Sequence, residues 1–278
     1  MSILQEDMEL ANGVKIPTLG LGTWKSHNDT APQAVEDAIG VGYRHIDSAR
    51  VYRNEEGVGQ GLRASGVPRD QVFVTTKVPE DLKTYDEVVE CIDESLRRLG
   101  LDYIDLLLIH GPSPWPPQPE DEGKTYFDEN VAVWQAMQEA CHDGKLRSIG
   151  VSNFEIPDLQ NLIDRCEVAP MVNQIEVRIG YPEIELTKFC QAHGIVVEAY
   201  SPIGTGMLLG NPDIEAVAEK YGVTLPQLCI RYTLQRGCVS LPKSIHREYM
   251  IENAQVDFEI SDEDMALLDA IDIPPEDD

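Results

Sequence analysis

Positive charge is scarce in this sequence. Its 278 residues include 49 Asp and Glu but only 22 Lys and Arg, nine of them Lys, which gives a net charge of −27 at pH 7. Such a surface repels nucleic acids and anionic membranes, so we predict no partner of either kind. The acidic excess is spread along the whole chain, which favours a solvated surface over a functional acidic patch. Acid-rich, lysine-poor surfaces resemble those of proteins from salt-loving, halophilic organisms.

Disulfide and export signals are also missing. The six cysteines include no CxxC pair, and most of them lie among apolar residues in helix-like segments, so we predict buried thiols. The N-terminal stretch "MSILQEDMEL" is acidic, unlike a secretion signal, and no run of about eighteen apolar residues occurs. We therefore predict a cytoplasmic protein.

Short apolar stretches alternate with amphipathic ones along the chain. Eight of the apolar stretches are typical of buried strands, and the segments between them have helical spacing. Strands that alternate with helices form parallel sheets with right-handed crossovers. Eight such units predict an α/β fold, a closed (β/α)8 TIM barrel, as one domain over residues 1–278. The predicted strands are 18–24, 43–47, 72–77, 104–110, 146–151, 171–175, 194–200 and 238–243.

An open, doubly wound sheet is the alternative fold. A nucleotide-binding sheet of that kind carries GxGxxG after its first strand, and this motif is absent. The stretches "GVGQG" at 57–61 and "GTGMLLG" at 204–210 fail the spacing, and we interpret them as a helix start and a loop. The barrel is therefore the preferred interpretation.

Two segments depart from the βα alternation. The stretch "GPSPWPPQPEDEGKTYF" at 111–127 is too rich in proline for a helix or a strand. It predicts a long loop after the fourth strand, of the kind that covers an active site. The stretch "MELANGVKIP" at 8–17 predicts a β-hairpin that turns at Asn12 and Gly13 and caps the bottom of the barrel.

Polar or aromatic side chains end every predicted strand. In a (β/α)8 barrel the active site lies at the carboxyl ends of the strands, so these residues are predicted to meet at one mouth. A chance distribution would place several of them within helices or on outer loops. They are Trp24, Asp47, Lys77, His110, Ser152, Asn153, Gln174, Tyr200, Ser201, Lys243 and Ser244.

The second, third and fourth units supply a candidate catalytic group. His45 and Asp47 are two residues apart and share one face of a strand, where a buried Asp47 carboxylate needs a partner. Lys77, on the neighbouring strand, can be that partner. Its ammonium would then lie near the phenol of Tyr52, lower the phenol's pKa from about 10 and make Tyr52 a usable proton donor. His110 can orient a carbonyl oxygen by a hydrogen bond, and the group contains no nucleophile.

Each of these residues has a simpler explanation when it is taken alone. An Asp–Lys pair in a barrel is often structural, and a lone histidine at a strand end is more often a satisfied polar residue than a catalytic one. The convergence of four groups from three successive βα units favours the catalytic interpretation.

Five motifs stand out along the chain: "GYRHIDSARVYRNEEGVG" (42–59), "LIH" (108–110), "KLRSIGVSNF" (145–154), "VNQIE" (172–176) and "LPKS" (241–244) followed by "ENA". Together they resemble the aldo-keto reductase superfamily. The resemblance covers residues 10–271 and implies NADPH-dependent reduction of aldehydes or ketones to alcohols by hydride transfer. It implies a catalytic tetrad of Asp47, Tyr52, Lys77 and His110, with Tyr52 as the proton donor, and NADPH bound across the barrel mouth without a Rossmann domain.

The same resemblance implies a cofactor site and a substrate pocket. The cofactor residues would be Ser152, Asn153 and Gln174 at the nicotinamide carboxamide, Tyr200 stacked on its ring, Lys243 and Ser244 at the 2′-phosphate, and Glu252 and Asn253 at the adenine. Ser201 is also counted among the cofactor residues. A small carbonyl substrate would meet Trp24, Tyr52, His110, Gly111 and Trp115. The chain ends soon after "SDEDMALLDAID", as in shorter microbial members such as 2,5-diketogluconate reductase-like enzymes, which implies an open pocket. No metal is implied, and we predict a monomer.

Two departures from the family pattern affect these assignments. Tyr249 stands where the family usually has an arginine that pairs with the 2′-phosphate. A tyrosine can stack but carries no charge, so we allow for NADH beside NADPH. Arg247 is nearby, but on a helix its direction differs by about 200°. Gly111 stands where the family usually has a tryptophan and should enlarge the pocket, unless Trp115 folds back to fill it.

Two other functions remain open at this stage. A metal-dependent barrel hydrolase would use His45, Asp47 and His110 as ligands and leave Lys77 structural, but it needs more histidines at strand ends. A non-catalytic barrel subunit, like those that bind potassium channels, would keep the nicotinamide site with little turnover. The complete tetrad and the lack of an N-terminal extension favour the reductase.

The acidic surface generates the first testable prediction. We expect the thermal unfolding midpoint to rise with KCl up to the molar range, because 49 acidic residues against 22 basic ones repel one another in the folded state. The Debye length falls from about 10 Å at 0.1 M salt to about 3 Å at 1 M, so the repulsion is screened. Circular dichroism across a KCl series measures the midpoint. A midpoint that stays level or falls would contradict the prediction.

Overall fold

A short antiparallel hairpin opens the structure, a computed structural model that describes residues 2–117, 119–121 and 123–273. Strands β1 (Asp7–Glu9) and β2 (Lys15–Pro17) pair with Glu9 opposite Lys15. Gly13 takes the left-handed conformation of the turn, with φ of 82°. Ile16 packs with barrel residues such as Leu106. The predicted hairpin and its place at the bottom of the barrel are confirmed.

Eight parallel strands follow, and each pairs with the next one along the chain. All eight overlap the predicted strands, so the (β/α)8 barrel is confirmed. The strands are β3 (Leu21–Gly22), β4 (His45–Asp47), β5 (Phe73–Val78), β6 (Ile104–Ile109), β7 (Leu146–Ser152), β8 (Val172–Glu176), β9 (Val196–Tyr200) and β10 (Val239–Leu241).

Short backbone bridges join the first barrel strand to the last. Leu19 bridges Ser240 and Gly22 bridges Lys243, both in parallel orientation. The amide of Gly22 donates to the carbonyl oxygen of Pro242 at 3.0 Å. The ends of β3 and β10, and the residues that follow them, therefore lie side by side at the barrel mouth.

Helices cover the outside of the barrel. None of the helices in the described ranges is long and apolar enough to cross a membrane. The helices are α1 (Ala31–Val41), α2 (Glu55–Ala64), α3 (Tyr85–Leu99), α4 (Phe127–His142), α5 (Ile156–Arg165), α6 (Ile184–Ala192), α7 (Pro212–Tyr221), α8 (Leu225–Gln235), α9 (Arg247–Asn253) and α10 (Asp262–Asp269).

Helix α3 shows how local sequence sets these helix bounds. Thr84 accepts a hydrogen bond from the Glu87 amide, and the Glu87 carboxylate accepts one from the Thr84 amide, which forms a capping box. Gly100 ends the helix in the left-handed conformation. The helix predicted from the spacing of apolar residues thus has the expected start and stop.

Side chains alternate between the barrel interior and the helix layer. On β5, Val74 and Val78 pack in the core between strands and helices, whereas Phe73 belongs to the interior cluster and Lys77 bonds across to Asp47. The interior therefore holds apolar residues at the bottom of the barrel and polar residues near its mouth.

Helix α2 lies close to its neighbours because of the glycines in "GVGQG". A Cβ atom on Gly59 would stand 2.0 Å from the carbonyl oxygen of Leu99, at the end of α3, and one on Gly61 would stand 2.5 Å from that of Pro32. Side chains at these positions would force the helices apart. The predicted helix start is confirmed, and these glycines fix the packing of α2, which follows the loop of Tyr52.

We expect Gly59→Ala to lower the free energy of unfolding by about 3 kcal/mol or more, because the new methyl group overlaps fixed backbone atoms. Gly40→Ala is the matched control, since a Cβ atom on this α1 glycine meets nothing within 4 Å. It should raise stability by about 0.5–1 kcal/mol through helix propensity. Urea denaturation of both variants tests the pair. Equal stabilities would show that α2 can shift freely.

Candidate active site

A buried ion pair joins the carboxyl ends of β4 and β5. The Lys77 ammonium lies 2.8 Å from both carboxylate oxygens of Asp47, and it donates a third hydrogen bond to the Ser48 carbonyl oxygen at 2.8 Å. Both side chains are buried. Burial acts to lower the pKa of Lys77, but the Asp47 carboxylate outweighs it and the pKa is raised. The expected Asp47–Lys77 pair is therefore present, and its ammonium stays charged.

Tyr52 lies against this pair, in a short 3-10 turn after β4 (Arg50–Tyr52). The Lys77 ammonium is 5.1 Å from the centroid of its ring. Burial raises the pKa of the Tyr52 phenol, while Lys77 acts to lower it and Asp47 to raise it. The expectation that Lys77 lowers the Tyr52 pKa overall is wrong in this structure, because desolvation of the phenolate is the larger effect. Tyr52 is therefore protonated at neutral pH.

His110 completes the predicted group of four. Its ring packs edge-on against Tyr52, with 5.7 Å between the ring centroids. Burial, with a smaller contribution from Lys77, lowers the pKa of His110 to about 3. The imidazole is therefore neutral at pH 7 and carries a single N–H. The structure brings all four side chains together at the barrel mouth.

Gln174 and Glu198 lie just beneath the ion pair. The Gln174 side-chain amide donates to one Asp47 carboxylate oxygen and to one Glu198 oxygen, both at 2.9 Å. Burial and the Asp47 carboxylate raise the pKa of Glu198 to about 8, so this acid is protonated at pH 7. Both amide hydrogens of Gln174 are thus engaged inside the barrel. Its amide oxygen is the atom left for a ligand.

His45 contacts the same network from β4. Its Nε2 lies 3.1 Å from the Thr75 hydroxyl and 3.5 Å from a Glu198 oxygen. Burial lowers the pKa of His45 to about 4, so its contact with Glu198 at neutral pH joins two uncharged groups. His45 and Asp47 share the interior face of β4, as their spacing predicts.

The ends of β7 and β9 form a second polar group. Ser152 donates to the Gln174 carbonyl oxygen at 2.9 Å, and the Asn153 amide donates to the His110 carbonyl oxygen at 3.1 Å. The Tyr200 hydroxyl donates to the Asn153 side-chain oxygen at 2.9 Å. Asn153 and Ser201 take left-handed backbone conformations, with φ of 59° and 48°. These predicted cofactor residues are tied to one another and to the backbone beside the tetrad.

Two lysines meet where β3 and β10 end. Gly22 bridges Lys243, so Lys25 and Lys243 lie near each other at neighbouring strand ends. Burial lowers the pKa of Lys243, and the charge of Lys25 lowers it further. Neither lysine forms an ion pair with a residue that the structure describes. Two unpaired cations side by side, in a chain with a net charge of −27, fit the binding of a phosphate group. Ser244 lies beside them and accepts a hydrogen bond from the His246 amide at 3.0 Å.

Helix α9 carries the residues assigned to adenine. Asn253 is buried, and the Glu252 carboxylate accepts a hydrogen bond from the Thr224 hydroxyl at 2.7 Å. Tyr249 is exposed, and its ring contacts only the edge of His246 among described aromatic rings. Arg247, the first residue of the same helix, is also exposed.

The outer wall of the site is open. Trp24 is 39% exposed at the mouth, and the Lys25 ammonium lies 4.0 Å from its ring centroid. Trp115 is 61% exposed, so it does not fold back to fill the space beside Gly111. A Cβ atom on Gly111 would instead stand 3.5 Å from the Cβ of Glu80. Residues 118 and 122 of the long loop lie outside the described ranges.

Sequence reasoning missed three residues of this site. Glu198 is an acid inside the apolar strand "GIVVEAY", which is a signal of a functional or networked carboxyl group. Lys25 is one of only nine lysines and directly follows Trp24. Glu80 follows the strand of Lys77 by two residues, and nothing in its local sequence separates it from the many surface acids.

The geometry gives the metal-site alternative no support. Both Asp47 oxygens bond to Lys77, and His45 is turned toward Thr75 and Glu198. Within the part of the chain that the structure describes, no group of three or more His, Cys, Asp or Glu side chains is arranged to hold a metal ion.

Comparison with known proteins agrees with this fold. The sequence pattern of the Aldo/keto reductase family matches residues 18–273. Glyoxal reductase of Bacillus subtilis is 42% identical over 270 residues, which cover 96% of this chain and 93% of that protein. The crystal structure of an aldo/keto reductase from Brucella melitensis superimposes with a TM-score of 0.87 at 37% identity, covering 95% of this chain and 98% of that one.

A further solved structure carries a ligand. The aldo-keto reductase of Bombyx mori, in complex with NADP, superimposes with a TM-score of 0.86 at 38% identity and covers 95% of this chain and 92% of that one. The chain therefore belongs to the aldo/keto reductase family, whose members are NAD(P)H-dependent oxidoreductases.

Proposed function

We propose that this protein reduces aldehydes and ketones to alcohols with NADPH, and that Tyr52 donates the proton. The observation that carries the proposal is the position of Lys77, whose ammonium bonds Asp47 and lies 5.1 Å from the ring centroid of Tyr52. A cation held beside a buried phenol stabilises the phenolate that proton donation leaves behind. Family membership supports carbonyl reduction in general.

Each of the four residues has a defined part. NADPH, when bound, supplies the hydride. His110 is neutral and donates its N–H to the carbonyl oxygen, which positions the substrate and stabilises the charge that develops there. Tyr52 is protonated at neutral pH and transfers its proton to that oxygen. Asp47 keeps Lys77 charged and in place, so that the Tyr52 phenolate is stabilised when it forms.

The remaining polar groups suit the cofactor. The Gln174 amide oxygen and the side chains of Ser152 and Asn153 can hold a carboxamide, with Tyr200 and Ser201 beside its ring. Lys243, Ser244 and Lys25 would hold a phosphate, since the two lysines are close and unpaired within the described residues. The Bombyx mori relative crystallised with NADP supports NADPH as the cofactor. Glu252 and Asn253 would lie at the adenine.

The proposed substrates are small carbonyl compounds that enter past Trp24 and Gly111. The name of the Bacillus subtilis relative, glyoxal reductase, supports small aldehydes among them. A net charge of −27 argues against nucleic acids and anionic membranes as partners. The proposal includes a cytoplasmic monomer.

We expect Tyr52→Phe to lower turnover by about 10²–10⁴-fold while NADPH still binds, because only the proton donor is lost. Lys77→Met should behave similarly. Tyr103→Phe is the matched control, since Tyr103 stacks on Arg69 at the amino end of β6, away from the mouth. Steady-state kinetics and fluorescence titration with NADPH measure both quantities. Near-normal turnover of Tyr52→Phe would overturn the assignment of the proton donor.

We also expect weak discrimination between NADPH and NADH in the wild type, because exposed Tyr249 supplies no charge to the 2′-phosphate. Tyr249→Arg should tighten NADPH, but not NADH, by about 1–3 kcal/mol through a charge-assisted hydrogen bond. Tyr249→Phe keeps the ring without adding charge, so it should leave the preference unchanged. Calorimetric titration with both nucleotides tests this. A wild type that already prefers NADPH by about a thousandfold, or 4 kcal/mol, would mean that Arg247 or another group already does the work of the usual arginine, and would contradict the prediction.

A further inference from the structure

Two buried polar atoms at the edge of the proposed site face each other without a hydrogen-bond partner. They are Nδ1 of His110 and Oε2 of Glu80. The two atoms are 3.7 Å apart, just beyond hydrogen-bond distance, and the side chains are only 16% and 18% exposed. Buried polar atoms are rarely left unpaired. A small rotation of either side chain would join these two.

The backbone and its anchors hold the two side chains in this arrangement. Val78 and Ile109 pair at the ends of β5 and β6, so the residues that follow them, including Glu80 and His110, are neighbours. The Lys83 ammonium fastens the two loops together, with bonds to the Gly111 and Pro112 carbonyl oxygens at 3.2 and 3.1 Å. The approach of Glu80 to His110 is therefore built into the fold.

The contact bears on which nitrogen of His110 carries the proton. A neutral imidazole has one N–H, and the other nitrogen is an acceptor. Nδ1 is closed off from solvent, which leaves Nε2 for a carbonyl oxygen. Nε2 can donate only if Nδ1 is unprotonated, and a buried unprotonated Nδ1 requires a donor.

We propose that Glu80 is the positioning residue for His110. In its protonated form Glu80 donates its carboxyl O–H to Nδ1, and this bond holds the imidazole in the tautomer that presents Nε2–H to the substrate oxygen. This inference rests on the proposed function, because it assigns a role within the same site. Glu80 acts through His110 and does not touch the substrate oxygen itself.

The surroundings of Glu80 favour this protonated form. Burial raises its pKa, its own backbone amide acts to lower it, the neighbouring Asp81 raises it and Lys83 lowers it. His110 faces Glu80 from the end of β6. Lys77 in turn contributes to lowering the pKa of His110. As pH rises through the elevated pKa, Glu80 loses its proton and becomes an acceptor, which favours the Nδ1–H tautomer. Turnover should therefore fall in a step distinct from the alkaline ionisation of Tyr52.

Nitrogen-15 NMR of the full-length protein, without substrate, reads the His110 tautomer directly. The wild type should show Nε2–H at low pH and shift toward Nδ1–H as Glu80 ionises. Glu80→Gln should show Nε2–H at every pH, because its amide donates to Nδ1 and does not titrate. Glu80→Met should give a mixture of tautomers. Asp81→Asn, which removes a carboxylate one residue away, is the matched control: it keeps the Glu80 carboxyl group and should retain the tautomer switch, with its midpoint moved to lower pH because Asp81 raises the pKa of Glu80.

Kinetics with glyoxal and NADPH give the second readout. Glu80→Met should lower kcat by about tenfold, the effect of one lost buried hydrogen bond. Glu80→Gln should retain the wild-type kcat at low pH but lack the first falling step of the pH profile. If Glu80→Met does not fold, as judged by circular dichroism, Glu80→Gln still tests the idea through its flat tautomer titration.

The inference is overturned if the wild type is Nδ1–H at low pH, or if Glu80→Met and the wild type share the same tautomer populations and pH profile. A failure of the proposed function has a different signature. In that case neither the wild type nor Asp81→Asn consumes NADPH with any carbonyl compound, while the tautomer measurement still reports whether Glu80 controls His110.

Discussion

The burial of one ammonium group, that of Lys77, governs the interior of this protein. A lysine taken out of water is costly unless it is paired and hydrogen-bonded, and Asp47 and the Ser48 carbonyl oxygen satisfy it fully. Once this pair is charged, its neighbours in the low-dielectric barrel are kept neutral. Glu198 keeps its proton and His110 stays unprotonated, because burial and the nearby charges oppose their ionisation. The candidate site thus has a single charged pair within a ring of uncharged polar groups.

Charge is distributed in opposite ways inside and outside the barrel. The surface carries most of the 49 acidic residues, whereas the mouth holds Lys25 and Lys243 without ion-pair partners among the described residues. An anionic ligand that approaches the protein is repelled by most of the surface and attracted at this one edge. The charge pattern that repels anions over most of the surface therefore favours the approach of a phosphate group at the mouth.

The fold was predictable because each element follows a strong local pattern. Strand β6 is an apolar run interrupted only by Asp105, and α3 has its capping box, its apolar face and its terminal Gly100 in the sequence. The pairing of Asp47 with Lys77 was predictable because parallel neighbouring strands place these residues at the same edge. The net effect on the Tyr52 pKa was not predictable from the sequence, because it depends on how deeply the phenol is buried. Glu80 and Lys25 were missed because their roles come from contacts between loops that are distant in sequence.

The closure of the barrel has a consequence for its internal motions. The seam between β3, which has two residues, and β10, which has three, is held by two parallel bridges, whereas β5 and β6 share four residue pairs. Cooperative units with few hydrogen bonds open with small free energies, so this seam opens at lower cost than the junction of β5 and β6. Lys25 follows one side of the seam and Lys243 the other. A ligand held by both lysines links the two ends of the sheet, and the free energy of its binding is added to the stability of this short junction.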